Sequence, residues 1–150
     1  MGLKRYGLTV MWARKPSMRW SSIVPVVQSM INCFELPKAV IIHCVGNDIG
    51  CVSTVSLFFH LRCSLYTINK MCPGCNIVFW NSLPRREWHY SINHRAMKYI
   101  PKRLNRGIMF YLLQHNGYYI HHDDWFGWLP WWSLCTWWCS SVFLTKGHFY

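Results

Sequence analysis

Lys38-Ala-Val-Ile-Ile-His-Cys-Val45, running straight into Gly46-Asn-Asp48, is the stretch on which the fold turns. The run is apolar, β-branched at its centre and closed by turn-forming residues, which predicts a strand buried on both faces. Downstream, Asn76-Ile-Val-Phe-Trp-Asn-Ser82 repeats the pattern, launched from Cys72-Pro-Gly-Cys75. Tyr118-Tyr-Ile-His-His122 follows Asn116-Gly117 as a shorter third run, and Leu8-Thr-Val-Met-Trp12 is a weaker fourth upstream.

The intervals between these runs carry helical spacing. Residues 21–34 place Ile23, Val26, Val27, Met30 and Ile31 on one side. Residues 52–71 do the same with Val55, Phe58, Phe59, Leu61, Leu65 and Ile68. Residues 93–115 set Met97, Ile100, Leu104, Ile108, Tyr111 and Leu112 opposite Arg95, Lys98, Lys102, Arg103 and Arg106, with a kink expected at Pro101. Strands alternating with helices of this length predict an α/β domain of parallel β-α-β units with helices on both faces. At residue 125 the character changes. Residues 125–145 hold no charged side chain, are crowded with tryptophan and follow neither period.

One hundred and fifty residues suffice for one domain with a core, and a hydrophobic share of 52% excludes a disordered tail. Sixteen Lys and Arg stand against five Asp and Glu, a net charge of +11 that attracts polyanions without specifying one. The eight cysteines are irregularly spaced, and residues 1–19 scatter basic residues through a stretch with no long apolar core. Reduced thiols in a cytoplasmic or nuclear protein without a signal peptide are expected.

Gly46-Asn47-Asp48 is the strongest local signal for chemistry. Ligands of parallel α/β sheets bind beyond the carboxyl ends of the strands, and an asparagine there can donate to a developing oxyanion. Taken alone, the tripeptide is more often a turn that caps the next helix. Its context adds to it. Met18-Arg-Trp20, Val40-Ile-Ile-His43 before Gly46-Asn-Asp48, Pro73-Gly74, Ile77-Val-Phe-Trp80 with Leu83-Pro-Arg-Arg-Glu-Trp88, Arg103-Leu-Asn-Arg106, Gly117 and His122 form an ordered set. Together they resemble the SGNH/GDSL hydrolase-like domain of DIRS/Ngaro-type tyrosine-recombinase retrotransposons, over residues 8–124.

The resemblance implies a flavodoxin-like three-layer α/β/α sandwich with a parallel sheet, and hydrolysis of a small ester by a serine nucleophile without a cofactor or metal. Asn47 would donate to the oxyanion and Asp48 would hold the turn. The second oxyanion donor, the backbone N–H of a glycine in the family, falls at Ser17. The glycine that opens the family's Gly-x-Asn-Asp block falls at Val45, one residue before Gly46. Two blocks have no match. The family's first strand, with its serine turn, would lie before residue 1, and its loss would leave two neighbouring strands unpaired. The Asp-x-x-His block expected after His122 is replaced by the tryptophan-rich stretch. The expected organisation is a partial hydrolase-like domain over 1–124 and a tail over 125–150. A one-base shift across Trp137-Trp-Cys-Ser-Ser-Val-Phe143 permits Gly-Gly-Val-His-Leu-Ser, similar to the family's closing block, so the tail is read as frameshifted. The resulting expectation is a degenerate domain without triad catalysis.

Other patterns compete. Arg85, Arg86, Arg95, Lys98, Lys102, Arg103 and Arg106, interleaved with Trp80, Trp88, Tyr90 and Tyr99, are the alternative, a basic nucleic-acid-binding module; a solvated helix face is the usual explanation for such charges. Residues 125–144 are long enough for a membrane association, yet Pro130 interrupts them and tryptophan favours the interface. Cys72-Pro-Gly-Cys75 has zinc-knuckle spacing but no second Cys-x-x-Cys, so a Pro-Gly turn with two incidental thiols is the expectation. His121-His-Asp-Asp124 reads as a strand end and polar loop.

Overall fold

The decisive run forms a strand, β2 (Ala39–His43), whose two faces meet different surroundings. Ala39, Val40 and Ile42 are buried, whereas Ile41 and His43 are half-buried. The computed structural model describes residues 9–14, 16–33, 36–82, 93–97, 99–121 and 141–146. Around β2 they form β1 (Thr9–Arg14), α1 (Ile23–Cys33) behind a short 3-10 turn, α2 (Thr54–Met71), β3 (Asn76–Trp80), α3 (His94–Met97), α4 (Ile100–Leu113), β4 (Tyr118–Ile120) and β5 (Ser141–Lys146).

Each helix follows from its apolar spacing. In α1, Ile23, Val27 and Met30 turn inward. In α2 the inner stripe is Leu57, Leu61, Leu65 and Ile68, while Val55 and Phe59, expected on that face, are exposed. Ser53 caps α2 by accepting the Ser56 N–H at 3.1 Å. The helix expected over 93–115 divides into α3 and α4. Pro101 sits in the first turn of α4, where its missing N–H removes no helical bond.

The five strands form one sheet in the order β1-β5-β2-β3-β4. β2, β3 and β4 pair in parallel, and β5 runs antiparallel to both of its neighbours, β1 and β2. The sheet is therefore mixed, which corrects the expectation of a purely parallel one. The expectation of two unpaired strands is corrected as well. β1 and β2 point the same way with a strand between them, and that strand comes from the stretch read as a tail.

Strand alternation and register give the sheet two unlike faces. Met11, Ala13, Val142, Leu144, Val40, Ile42, Ile77, Phe79 and Tyr119 share one face. These residues belong to, or pack against, one apolar cluster that also takes the inner stripes of α1, α2 and α4. Among the described residues, the helices thus cover one face. The other face carries Trp12, Ile41, His43, Val78, Trp80, Tyr118 and Ile120, none of them part of that cluster. On that face Ala39 is buried and Ile41 and His43 are half-buried, so β2 has buried residues on both faces, with the described helices on one of them.

Candidate functional site

Two loops meet at the carboxyl ends of β1 and β2. After β1, Pro16-Ser17 turns the chain into Met18-Arg19-Trp20. After β2, Cys44-Val45 leads into the turn 46–48. Asn47 Nδ2 donates to the Met18 carbonyl at 2.9 Å, and the Trp20 backbone N–H donates to Asp48 Oδ2 at 2.9 Å. The Cys44 thiol also points at the Met18 carbonyl, at 3.6 Å. Inside the second loop, the Asp48 N–H bonds the Val45 carbonyl at 2.9 Å and the Cys51 N–H bonds the Asp48 carbonyl at 3.0 Å. Asn47 and Asp48 therefore stitch one loop to the other.

The stitch lies over the core. Met18, Trp20, Val45 and Ile49 are almost fully buried, and Asp48 is only 7% exposed. Burial pushes the Asp48 carboxyl above the ordinary aspartate range. The Trp20 N–H and the positive charges of Arg19 and His60 pull the other way without cancelling it.

The backbone at this junction is unusual in two places. Ser17 has φ 54° and Val45 has φ 105°. Both lie in the region that glycine enters freely and that other residues enter at a cost, greatest for a β-branched side chain such as Val45.

A second polar clamp sits at the end of β3. The Asn105 side chain, reaching inward from α4, accepts the Ser82 N–H and donates to the Ser82 carbonyl, both at 3.2 Å. The Asn81 N–H bonds the Ile120 carbonyl of β4 at 3.1 Å. In the sequence, Asn105 stands out only as part of Arg103-Leu-Asn-Arg106. The available signal was its position: an amide on the inner stripe with Leu104 and Ile108, where a polar group needs a partner.

Among the described residues, the basic candidates of α3 and α4 do not join this site. Gly46 is in the turn with Asn47 and Asp48. Arg95, Lys102, Arg103 and Arg106 are exposed on the outer side of α3 and α4, beside the exposed Tyr99. Trp80 lies on the sheet face away from these helices, so it does not interleave with them. Arg85, Arg86, Lys98, Trp88, Tyr90, His122, Asp123 and Asp124 lie outside the described residues, as does the tryptophan-rich stretch before β5.

Cys72 and Cys75 flank the turn from α2 to β3, where Gly74 has φ 77° and the Cys75 N–H bonds the Cys72 carbonyl at 3.1 Å. Burial, with the neighbouring Cys72 adding to it, pushes the Cys75 thiol up to about 12. A thiol so disposed stays protonated at neutral pH and is a poor nucleophile. Among the described residues no three His, Cys, Asp or Glu side chains gather as a metal site, and no helix is long and apolar enough to cross a membrane.

No protein-family model, no curated protein and no solved structure matches the chain.

Proposed function

We propose that the chain is a degenerate SGNH/GDSL-type ester-hydrolase domain. In this reading it keeps the scaffold of an oxyanion site and does not hydrolyse esters. The observation that carries the reading is the backbone at Ser17 and Val45. These are the two positions where the resemblance calls for glycine, and both hold a φ that glycine favours. A non-glycine residue in that conformation costs on the order of 1–3 kcal/mol. The loop shapes are therefore those of glycine-bearing loops, imposed on residues that resist them.

Two further features support it. The resemblance assigns a strand to the place between β1 and β2, and β5 stands there in the opposite direction. With that place filled, the order of the same-direction strands accords with a flavodoxin-like sheet. In the full three-layer sandwich a second helical layer would lie on the face carrying Trp12 and Trp80. Asn47 sits at the end of β2 where the resemblance puts the oxyanion donor, but its amide is bonded to the Met18 carbonyl. A substrate oxygen would have to displace that bond, and residues 123–150 hold no Asp-x-x-His block.

The test is hydrolysis of a chromogenic short-chain ester by the purified chain. The expected result is a rate equal to buffer for the chain and for Asn47→Ala alike. Turnover above buffer that disappears in Asn47→Ala would overturn the proposal, because it would place a working oxyanion donor at residue 47.

A further inference from the structure

Cys72-Pro-Gly-Cys75 is a chemistry-bearing motif that the stitched loops leave unused. Cys72 closes α2, with its N–H still bonded to the Ile68 carbonyl at 3.0 Å. Pro73 sets its own φ, Gly74 takes φ 77°, and the Cys75 N–H returns to the Cys72 carbonyl at 3.1 Å. A proline followed by a left-handed glycine under such a bond is a type II turn. β3 begins at the next residue, Asn76, whose N–H bonds the Lys38 carbonyl at 2.9 Å. The turn is thus anchored by the helix on one side and by the sheet on the other.

A β-turn brings its first and last Cα atoms within about 7 Å. A disulfide spans Cα separations of about 4.4–6.8 Å. Cysteines at the first and fourth positions of the turn therefore have backbones already within bonding reach. Their side chains share one environment. Cys72 is fully buried in the apolar cluster, and Cys75, half-buried, packs against it. Both are free thiols, and a charge on Cys72 is felt at Cys75.

The polarity of the pair is the reverse of a reactive one. Reactive Cys-x-x-Cys pairs gain from a helix N-terminus, whose dipole stabilises the thiolate. Cys72 and Cys75 follow the C-terminal end of α2, and burial pushes both thiols up. Thiols of this kind react slowly. Their disulfide, once made, is harder to reduce than one whose thiolates are stabilised.

We propose that Cys72 and Cys75 form a dithiol site for low-molecular-weight disulfides, which convert it to a bond latching the end of α2 to the start of β3. Cys75, the more accessible of the two, loses its proton, and its sulfur attacks one sulfur of the incoming disulfide, expelling a thiolate. Cys72 then loses its proton and attacks the Cys75 sulfur of the mixed disulfide, expelling the second thiolate. The two protons end on the two released thiols. The chain gives up two electrons and the small disulfide accepts them. The latch lies at the amino end of β3, away from the loops at the carboxyl ends, and is independent of the hydrolase reading.

The experiment equilibrates the full chain for hours with oxidised and reduced glutathione in varied ratio. Acid quenching, alkylation of the remaining thiols, trypsin digestion and mass spectrometry follow. The tryptic peptide 71–85 contains Cys72 and Cys75 and no other cysteine. The expected major form is that peptide lacking two hydrogens, both at equal glutathione concentrations and with the reduced form in about tenfold excess. In urea, which releases the turn, the ratio of disulfide to dithiol is expected to fall about tenfold or more. Cys72→Ser is expected to stop at a mixed disulfide on Cys75, and Cys75→Ser to leave the buried Cys72 unmodified. A peptide carrying two alkyl groups or two glutathiones at every ratio overturns the proposal. So does equal pairing in the folded and urea-unfolded chain, which would leave the turn no part in it. Loss of the fold on oxidation, read by circular dichroism, also overturns it, because the bond would then not fit the turn. Glutathione on Cys72 in place of Cys75 overturns the order of attack.

Discussion

Asp48 is a carboxylate held in apolar surroundings by the backbone N–H of Trp20 at 2.9 Å. Its pKa in the folded chain is raised above the ordinary aspartate range, first by burial. A raised folded pKa means that folding favours the protonated form. The associated stability is fully present below the unfolded pKa and is lost as pH rises through the folded one. Asp48→Asn keeps an acceptor for Trp20 and removes the ionisation. It is expected to match or exceed the wild type in urea-midpoint stability at neutral pH and to flatten the decline above the acid range. Asp48→Ala strands a buried N–H and is expected to cost about 1–3 kcal/mol. Equal losses in both variants would mean that the ionised carboxylate is itself stabilising.

Ser17 and Val45 share a strained φ but differ in what a glycine would do. Ser17 is exposed, so Ser17→Gly removes strain without losing packing. A rise of about 0.5–1 kcal/mol in unfolding free energy is expected, and a drop would show that the loop tolerates serine without strain. Val45 is fully buried. There the relief of about 1–3 kcal/mol is opposed by the loss of a buried side chain worth about 1.5–3 kcal/mol, so the two effects nearly cancel. The glycine-like conformation at these positions was signalled by the family resemblance alone and not by the residues that stand there. A residue's name says what it prefers, and only the neighbouring bonds say what it is made to adopt.

At the scale of elements, inward and outward faces were legible wherever one period dominated. Leu104, Ile108, Tyr111 and Leu112 of α4 turn inward as their spacing requires. In α2 the run Leu57-Phe58-Phe59 offers neighbouring stripes of similar apolarity, and packing against the sheet selects Leu57 over Phe59. Strand β5 is the element that the sequence hid. Ser141-Val-Phe-Leu-Thr-Lys146 alternates too briefly to stand out from the apolar stretch before it. Its buried positions, Val142 and Leu144, are set by pairing on both sides. Leu144→Ala is expected to cost about 2–5 kcal/mol, as for a truncated core leucine. Thr145, also buried, has an Oγ1 without a hydrogen-bond partner, so Thr145→Val is expected to stabilise by about 1 kcal/mol. Chemical unfolding measures both. If Leu144→Ala unfolds at the wild-type midpoint, β5 does not contribute to the core.

For the whole molecule, β5 is the keystone of the topology. β4 lies at one edge, yet the next described strand enters between β1 and β2, so the closing contacts are of long range. β1 is joined to the sheet through β5, which ties residues near the start of the chain to residues near its end. Such closure forms slowly, because loop entropy is lost before the contacts that offset it are made. The molecule also separates two chemistries in space. The polar stitch of Asn47 and Asp48 lies at the strand ends, and Trp12, Trp80 and Tyr118 lie on the sheet face away from the helices. The basic side of α4 is on neither.

Much of the architecture follows from the chain alone. The apolar runs at β2 and β3 and the helical spacing between them determine an α/β domain, because local hydrophobic period sets the element and adjacency sets the parallel pairing. The loop after β2 was likewise marked as a candidate site by Gly46-Asn-Asp48. Tertiary structure alone decided three things: the antiparallel strand inside the sheet, the unlike faces of β2, and the strained φ at Ser17 and Val45. Each depends on which distant backbone groups and side chains come to lie alongside. A continuous apolar strand reads the same whether helices cover one face or two, and a six-residue strand acquires a direction only from the neighbours that pair with it.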